Sequence, residues 1–120
     1  MPAKNPQASP SRGDVVLINL DPTVDHEQGG QRPALVVSDD SLNRSPAGLV
    51  IVAPITGTDR GIPAHVNVVP PEGGLTKPSV IMVDQIRTIS RRRIAHRLGS
   101  VSSATMGRVD DRLKLILDLA

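Results

Sequence analysis

Apolar residues in this chain come in short blocks, and segments rich in Gly and Pro separate the blocks. The first block, GDVVLINL at residues 13–20, is rich in β-branched side chains and stops at Asp21-Pro22, which reads as a strand running into a loop. That loop extends to about Gln31, and RPALVVS at residues 32–38 forms the second strand, with Pro33 near its start, where a missing donor is tolerated. Residues 39–47 are a polar connection with room for one helical turn near Ser41. A third strand, LVIVAPI at residues 49–55, is ended by TGTDRG, and a shorter fourth begins with HVNVV at His65 and stops at Pro70-Pro71. After EGGLTKP, residues 79–83 and 85–89 read as two strands, or as one strand bent around Asp84. Glu72 to Gly74 and Leu98 to Ser100 read as turns. Only the end of the chain changes period: Ser102 is a candidate N-cap, and Met106, Val109, Leu113 and Ile116 recur at helical spacing, with Leu115, Leu117 and Leu119 widening the stripe.

Five or six short strands between Gly/Pro loops predict a mainly β fold, a compact barrel or sandwich, with one C-terminal helix that covers an end of the barrel or a partner subunit. The 120 residues suffice for one core and one domain, placed at residues 12–120. Residues 1–11 carry three prolines and no apolar run of signal-peptide length, and they are expected to form a flexible tail on a cytoplasmic protein.

Composition narrows the chemistry. No residue is aromatic, so the core must be built from Val, Ile, Leu, Ala and Met, which suits strands. Without cysteine there is neither a disulfide framework nor a thiolate metal site. No His, Asp and Glu set has metal-ligand spacing and no glycine-rich nucleotide loop occurs, so no cofactor is implied. The formal charge is only +2, and its distribution says more than its sum: Arg91, Arg92 and Arg93, with Arg87 and Arg97 nearby, form one basic region. A solvated face with ordinary ion pairs explains that run equally well.

One junction stands out. In EQGGQRPALVV an acid, two amides and a glycine pair lead through Arg32 into a buried-looking strand. If the second and third strands pair antiparallel, Arg32 at the start of one meets Thr56 at the end of the other, and Asp21 ends the first strand at the same rim. A guanidinium beside a hydroxyl suits a phosphodiester, because it forks onto two phosphate oxygens while Thr donates a hydrogen bond. Gly29 and Gly30 would let backbone N–H groups approach the same anion. The competing reading is a structural arginine paired with Asp21 or Asp84. Glu27 and Asp84 are candidate bases or phosphate-site partners, and each could equally cap a turn or pair with Arg32 or Arg87. His26 and His65 titrate in a useful range, but isolated histidines are more often satisfied structural residues.

Five segments in order, RGDVVLINLDPT, EQGGQRPALVVS, VIVAPIT, GLTKPSVIMVDQIRTIS and LGSVSSATMGRVDDRLKLIL, resemble the MazF/PemK toxins of bacterial toxin–antitoxin pairs. The resemblance covers nearly all of residues 12–119. It implies a small SH3-like β-barrel with a C-terminal helix, acting as a homodimer. It further implies a metal-independent endoribonuclease that cuts single-stranded RNA at short sequences and is silenced by a MazE-like antitoxin lying in the RNA groove. The family's catalytic arginine and threonine fall on Arg32 and Thr56. The implied reaction is attack by a ribose 2′-OH on its own 3′-phosphate, leaving a 2′,3′-cyclic phosphate and a 5′-OH. DNA, lacking that hydroxyl, should survive.

One departure matters: in the Kid branch an arginine stands two positions before the aspartate of the DQ.RT motif, where this chain has Met82. An acid role assigned to that arginine does not transfer, although Asp84 is present. With no aromatic to stack on, base reading falls to Glu27, Gln28, Lys77, Gln85 and backbone groups, with Asp21, Gly29 and Arg87 completing the expected RNA contacts. Two rivals keep the fold and drop the chemistry. One is a gyrase-binding toxin, although such proteins use an aromatic near the C-terminus and this chain ends LILDLA. The other is an SH3-like interaction module in which Arg32 is structural.

Overall fold

The computed structural model of the chain describes residues 9–19 and 30–119. Seven strands and two helices follow one another as β1 (Asp14–Asn19), β2 (Gln31–Val36), α1 (Asp40–Asn43), β3 (Leu49–Thr56), β4 (His65–Val68), β5 (Ser79–Met82), β6 (Arg87–Ser90), β7 (Ile94–Ser100) and α2 (Ser103–Leu117). The sheet is antiparallel throughout, in the order β4-β5-β3-β2-β1-β7, with β6 also pairing β3. No pairing joins β4 to β7 among the described residues, so the curled sheet stays open. The class is the expected one, mainly β with a C-terminal helix.

The apolar blocks are continuous because β1, β2 and β3 are covered on both faces. Val15 pairs with Leu35, and Leu35 with Ala53. These three join one buried cluster with Ile55, Val66, Ile81, Val83 and Val109 of α2. Their neighbours Val16, Ala34, Val36 and Val52 point the other way, into a second cluster with Ile18, Val50, Ile89 and Ile94. Strict alternation of polar and apolar residues would require one solvated face, and these strands have none.

β3 organises the site because it is shared. Leu49 to Val52 pair with β6, and Ile55 and Thr56 pair with β5. The chain passes from one to the other through a 3₁₀ turn, Val83–Gln85, that contains Asp84. The two-strand reading of residues 79–89 therefore holds, with Asp84 in the break.

α2 begins where the sequence placed it: Ser102 Oγ accepts the Thr105 N–H at 3.1 Å. Val109 is fully buried and Met106 and Leu113 are half-buried against the first cluster, whereas Ile116, Leu115, Leu117 and Leu119 are exposed. Arg12 anchors the helix to the sheet. Its guanidinium pairs with Asp110 and donates to the Val37 carbonyl at 2.8 Å, while its N–H donates to Asp40 Oδ1 at 2.8 Å. Of the expected tail, residues 1–8 lie outside the described residues. Pro10 is buried, and the Ser11 N–H donates to Asp14 Oδ2 at 2.8 Å.

The turn expected at Leu98 to Ser100 is a correction: these residues end β7, which pairs along β1. β7 reads IAHRLGS, and only Ile94 in it is buried, so it carries no apolar alternation to announce a strand. Gly99 is there for contact. A Cβ on Gly99 would lie 2.8 Å from the backbone of Gly73 and Gly74, and one on Gly74 would lie 2.1 Å from the Leu98 carbonyl oxygen. The 3₁₀ turn Glu72–Gly74 therefore packs backbone to backbone on β7, closer than side chains permit.

Candidate active site

The β2–β3 register pairs Ala34 with Pro54, and its continuation by two residues sets Arg32 opposite Thr56, as the hairpin argument requires. Across the other edge of β2, Arg32 pairs with Ile18 of β1. Both side chains line an open cavity of about 660 Å³. Leu17, Pro33, Ile55, Leu75 and Leu98 give it an apolar lining, and Gln31, Arg32, Thr56, Thr58, Thr76, Lys77 and Ser79 give it polar groups. None of the described lining residues is acidic, so among them the cavity gathers positive charge without a counter-charge.

Arg32 is exposed, and among the described residues its guanidinium has neither an ion-pair nor a hydrogen-bond partner. The rival pairing with Asp84 does not form. Asp84 Oδ1 is instead 2.9 Å from Nε2 of His65, a buried side chain on β4. Neither residue borders the cavity, and Gln85 in the 3₁₀ turn and Arg87 at the start of β6 are exposed and outside its lining. Asp21, His26, Glu27, Gln28 and Gly29 lie outside the described residues.

Lys77 is the third polar anchor. Its Cε lies 3.1 Å, and its Nζ 3.4 Å, from where a Cβ on Gly57 would sit, so the lysine stem lies across the residue that follows Thr56. The Ser79 hydroxyl donates to the Lys77 carbonyl at 2.9 Å and fixes the backbone that carries the ammonium. Thr56 Oγ1 accepts the Thr58 N–H at 3.2 Å, which leaves its own proton available to a ligand. Thr58, Ser79 and Gly57 were not singled out from the sequence. The signal lay in TGT and TKPS, small polar residues bracketing strand ends.

The opposite wall is Gly74 and Leu98, held by Glu72. Burial pushes the Glu72 carboxyl up, but the Thr105 hydroxyl at 2.6 Å and the Ser102 N–H at 2.9 Å outweigh it. With help from Arg108 they hold its pKa below the ordinary glutamate value. The same carboxylate caps the N-terminus of α2, where the helix dipole favours negative charge. One residue thus ties the cavity wall to the helix.

A model of the PemK-like, MazF-like toxins of type II toxin–antitoxin systems matches residues 11–117. This chain belongs to that family. Among solved structures, MazF from Deinococcus radiodurans superposes with a TM-score of 0.74 at 32% identity, over 92% of this chain and 97% of that one. The toxin of a MazE–MazF complex from the same organism reaches 0.79 at 32% identity, over 93% and 98%. An endoribonuclease from a mycobacterial species, in complex with its cognate antitoxin, gives 0.75 at 27% identity, over 94% and 97%. The match runs through both strands that carry Arg32 and Thr56, and through the helix that backs them.

Proposed function

We propose that this toxin is a metal-independent endoribonuclease that cuts single-stranded RNA at a short recognition sequence, with Arg32 and Thr56 as its catalytic residues. The observation that carries the proposal is the Arg32 guanidinium, without a partner among the described residues and set beside Thr56 and Lys77 in a cavity whose described lining holds no carboxylate. An arginine kept for stability would be neutralised, as Arg97 is by Asp14 at 3.0 Å. Its solved relatives include two mycobacterial endoribonucleases, one of them in complex with its cognate antitoxin, and that likeness supports the same activity here.

In the reaction, the 2′-hydroxyl oxygen bonds to the adjacent phosphorus and the bond to the 5′-oxygen of the next nucleotide breaks. The products are a 2′,3′-cyclic phosphate and a 5′-hydroxyl. Negative charge builds on the equatorial phosphate oxygens as the fifth bond forms, and the Arg32 fork stabilises it more in that state than in the substrate. Thr56 donates to the same phosphate, and Lys77 adds a second cation at the rim. The described lining supplies no base. Glu27, five positions before Arg32 in the sequence, fills that role in this reading, while Asp84 is committed to His65. Gln28, Gly29, Gln85, Arg87 and Asp21 complete the RNA contacts, and a MazE-like antitoxin segment competes for the same groove in the cytoplasm.

A homodimer belongs to the same proposal. Leu115, three-quarters exposed, together with Ile116, Leu117, Leu119 and Ile62, leaves the end of α2 apolar. A shallow cleft of about 370 Å³, lined by Pro63, Ala64, Arg112, Leu115 and Ile116, adjoins it. A second copy would cover that surface.

The deciding experiment is digestion of a long mixed-sequence RNA in EDTA, with Arg32→Ala alongside and with cut ends mapped and chemically typed. Cleavage at a recurring short sequence, with cyclic-phosphate ends, should fall by about 10²–10³-fold or more in the variant, the loss expected when one oxyanion donor is removed. RNA left intact by the wild-type protein would refute the assignment.

A further inference from the structure

Besides Arg87 at the start of β6, four arginines lie between residues 91 and 97, and the fold divides their work. Arg97 is neutralised by Asp14. Arg93 donates to the Asn19 carbonyl at 3.0 Å. Arg91 is a clamp: its guanidinium donates to the carbonyls of Asn43 at 2.6 Å and Ser45 at 3.4 Å, and its N–H donates to the Gly48 carbonyl at 2.8 Å. Arg92 differs. It is exposed, and among the described residues its side chain has no partner, while its backbone N–H is held by Ser90 Oγ at 3.2 Å. The 3₁₀ turn Arg91–Arg93 is thus fixed at its backbone and by Arg91, and it presents one uncommitted guanidinium.

Arg91 and Arg92, with Ala47, Gly48 and Ser90, line an open cleft of about 620 Å³. None of the five is acidic. The acids of the adjoining α1 turn are engaged elsewhere: Asp39 accepts from Ser41, and Asp40 accepts from the Arg12 N–H and from Asn43. These bonds hold both carboxyls below their ordinary values, so both stay charged at neutral pH. Asp40 pairs with Arg44 at 3.8 Å, and among the described residues neither carboxylate pairs with Arg91 or Arg92.

We propose that this cleft is a second phosphodiester site, which holds the RNA strand outside the cut site. The inference rests on the endoribonuclease reading and extends it. Leu49 pairs with Ser90, so the cleft lies at the first end of β3, whereas the Arg32 cavity lies at its last residue, Thr56. Seven residue steps of about 3.4 Å put roughly 24 Å between them. A single strand of several nucleotides spans that distance, within the footprint of about 4–16 nucleotides common for small barrels. The cleft offers a guanidinium fork and backbone, with no aromatic to stack a base and no carboxylate to read one. It binds phosphate without regard to sequence. Its effect is on affinity for long RNA, not on the chemical step.

The test compares wild type, Arg92→Ala and Arg92→Glu. Binding of uncleavable 2′-O-methyl RNAs of about 5 and about 20 nucleotides, each containing the recognition sequence, is followed by fluorescence anisotropy across a salt series. Cleavage of matched natural RNAs is measured in parallel. Arg92→Ala should weaken binding of the long RNA by about 5- to 10-fold and lower its salt slope by about one, the signature of one lost phosphate contact. Arg92→Glu should weaken it further. The short RNA should bind equally to all three, and kcat should hold on both lengths. Long-RNA binding unchanged in Arg92→Glu, or an equal loss on short and long RNA, would overturn the proposal. If wild type cuts RNA and Arg32→Ala does not while the Arg92 variants are silent, only the second site fails. RNA left uncut by wild type would remove the underlying reading instead.

Discussion

Substituting Gly74 by alanine tests whether the cavity wall depends on the backbone contact between the Glu72–Gly74 turn and β7. Gly74 has φ +72°, and a Cβ there would sit 2.1 Å from the Leu98 carbonyl oxygen and 2.7 Å from its carbon. The left-handed backbone alone costs about 1–2 kcal/mol for an L-residue. Displacing a backbone carbonyl in a packed strand adds about 1–3 kcal/mol. Gly48 supplies the control, because it has φ +70° with nothing within 4 Å of its Cβ position. Gly48→Ala should therefore show the conformational term by itself. At about 4 °C per kcal/mol for a domain of this size, Gly74→Ala should lower Tm by about 8–20 °C and Gly48→Ala by about 4–8 °C. Thermal unfolding by circular dichroism, checked by urea titration, reads both. Leu98 and Gly74 line the Arg32 cavity, so on the proposed function Gly74→Ala should also lose RNA cleavage below its Tm, while Gly48→Ala should keep it. Equal Tm values for the two variants would refute the close-packing argument.

Glu72→Gln should destabilise the fold by about 1 kcal/mol at neutral pH, since charge-assisted bonds to Thr105 and Ser102 become neutral ones. The folded Glu72 pKa is depressed, so its contribution is complete above the unfolded value of about 4.3 and is lost as pH falls through the lower folded value. Urea midpoints of wild type and variant should converge as pH drops through that window, and a gap that persists at the acid end would contradict the cap. Thr56→Ala should reduce kcat/KM on RNA by at least about tenfold, whereas Thr56→Ser, which keeps the donor, should retain most activity. If the serine variant fell as far as the alanine one, the methyl group and not the hydroxyl would be what matters. Arg32→Lys should remain folded yet recover little of the activity lost in Arg32→Ala, because an ammonium cannot fork onto two phosphate oxygens. Cleavage rates near wild type in Arg32→Lys would reduce the arginine to a point charge.

The strands of the interior were legible because their residues obey a packing rule visible locally: blocks such as ALVV and VIVA are buried on both faces, so composition and length alone mark them. β7 was not, because what holds it is remote. Its pairing with β1, the Arg97–Asp14 bridge and the contact of Gly99 with Gly73 and Gly74 all join segments far apart in sequence. The glycine in LGS looks the same locally whether it turns the chain or admits another backbone. The Arg12 clamp on Asp110, Val37 and Asp40 was hidden for the same reason. By contrast, the Ser102 cap is written within four residues, and it is where the sequence put it.

The candidate site divides along the same line. Arg32 facing Thr56 follows from a hairpin register, which needs only the parity of two adjacent strands. Asp84 could not be resolved that way, because a carboxylate at a strand break serves whichever group the fold brings to it, and the fold brings His65, 19 positions earlier. Lys77 reaches the cavity only because β5 pairs the last residues of β3, a choice made by the 3₁₀ turn that splits β5 from β6. That split also sets the Arg32 cavity and the Arg92 cleft at opposite ends of β3. A continuous β5–β6 strand along β3 would leave one neighbour where there are now two. The break at Asp84, unremarkable as a sequence feature, thus separates the site where RNA would be cut from the cleft where it would be held.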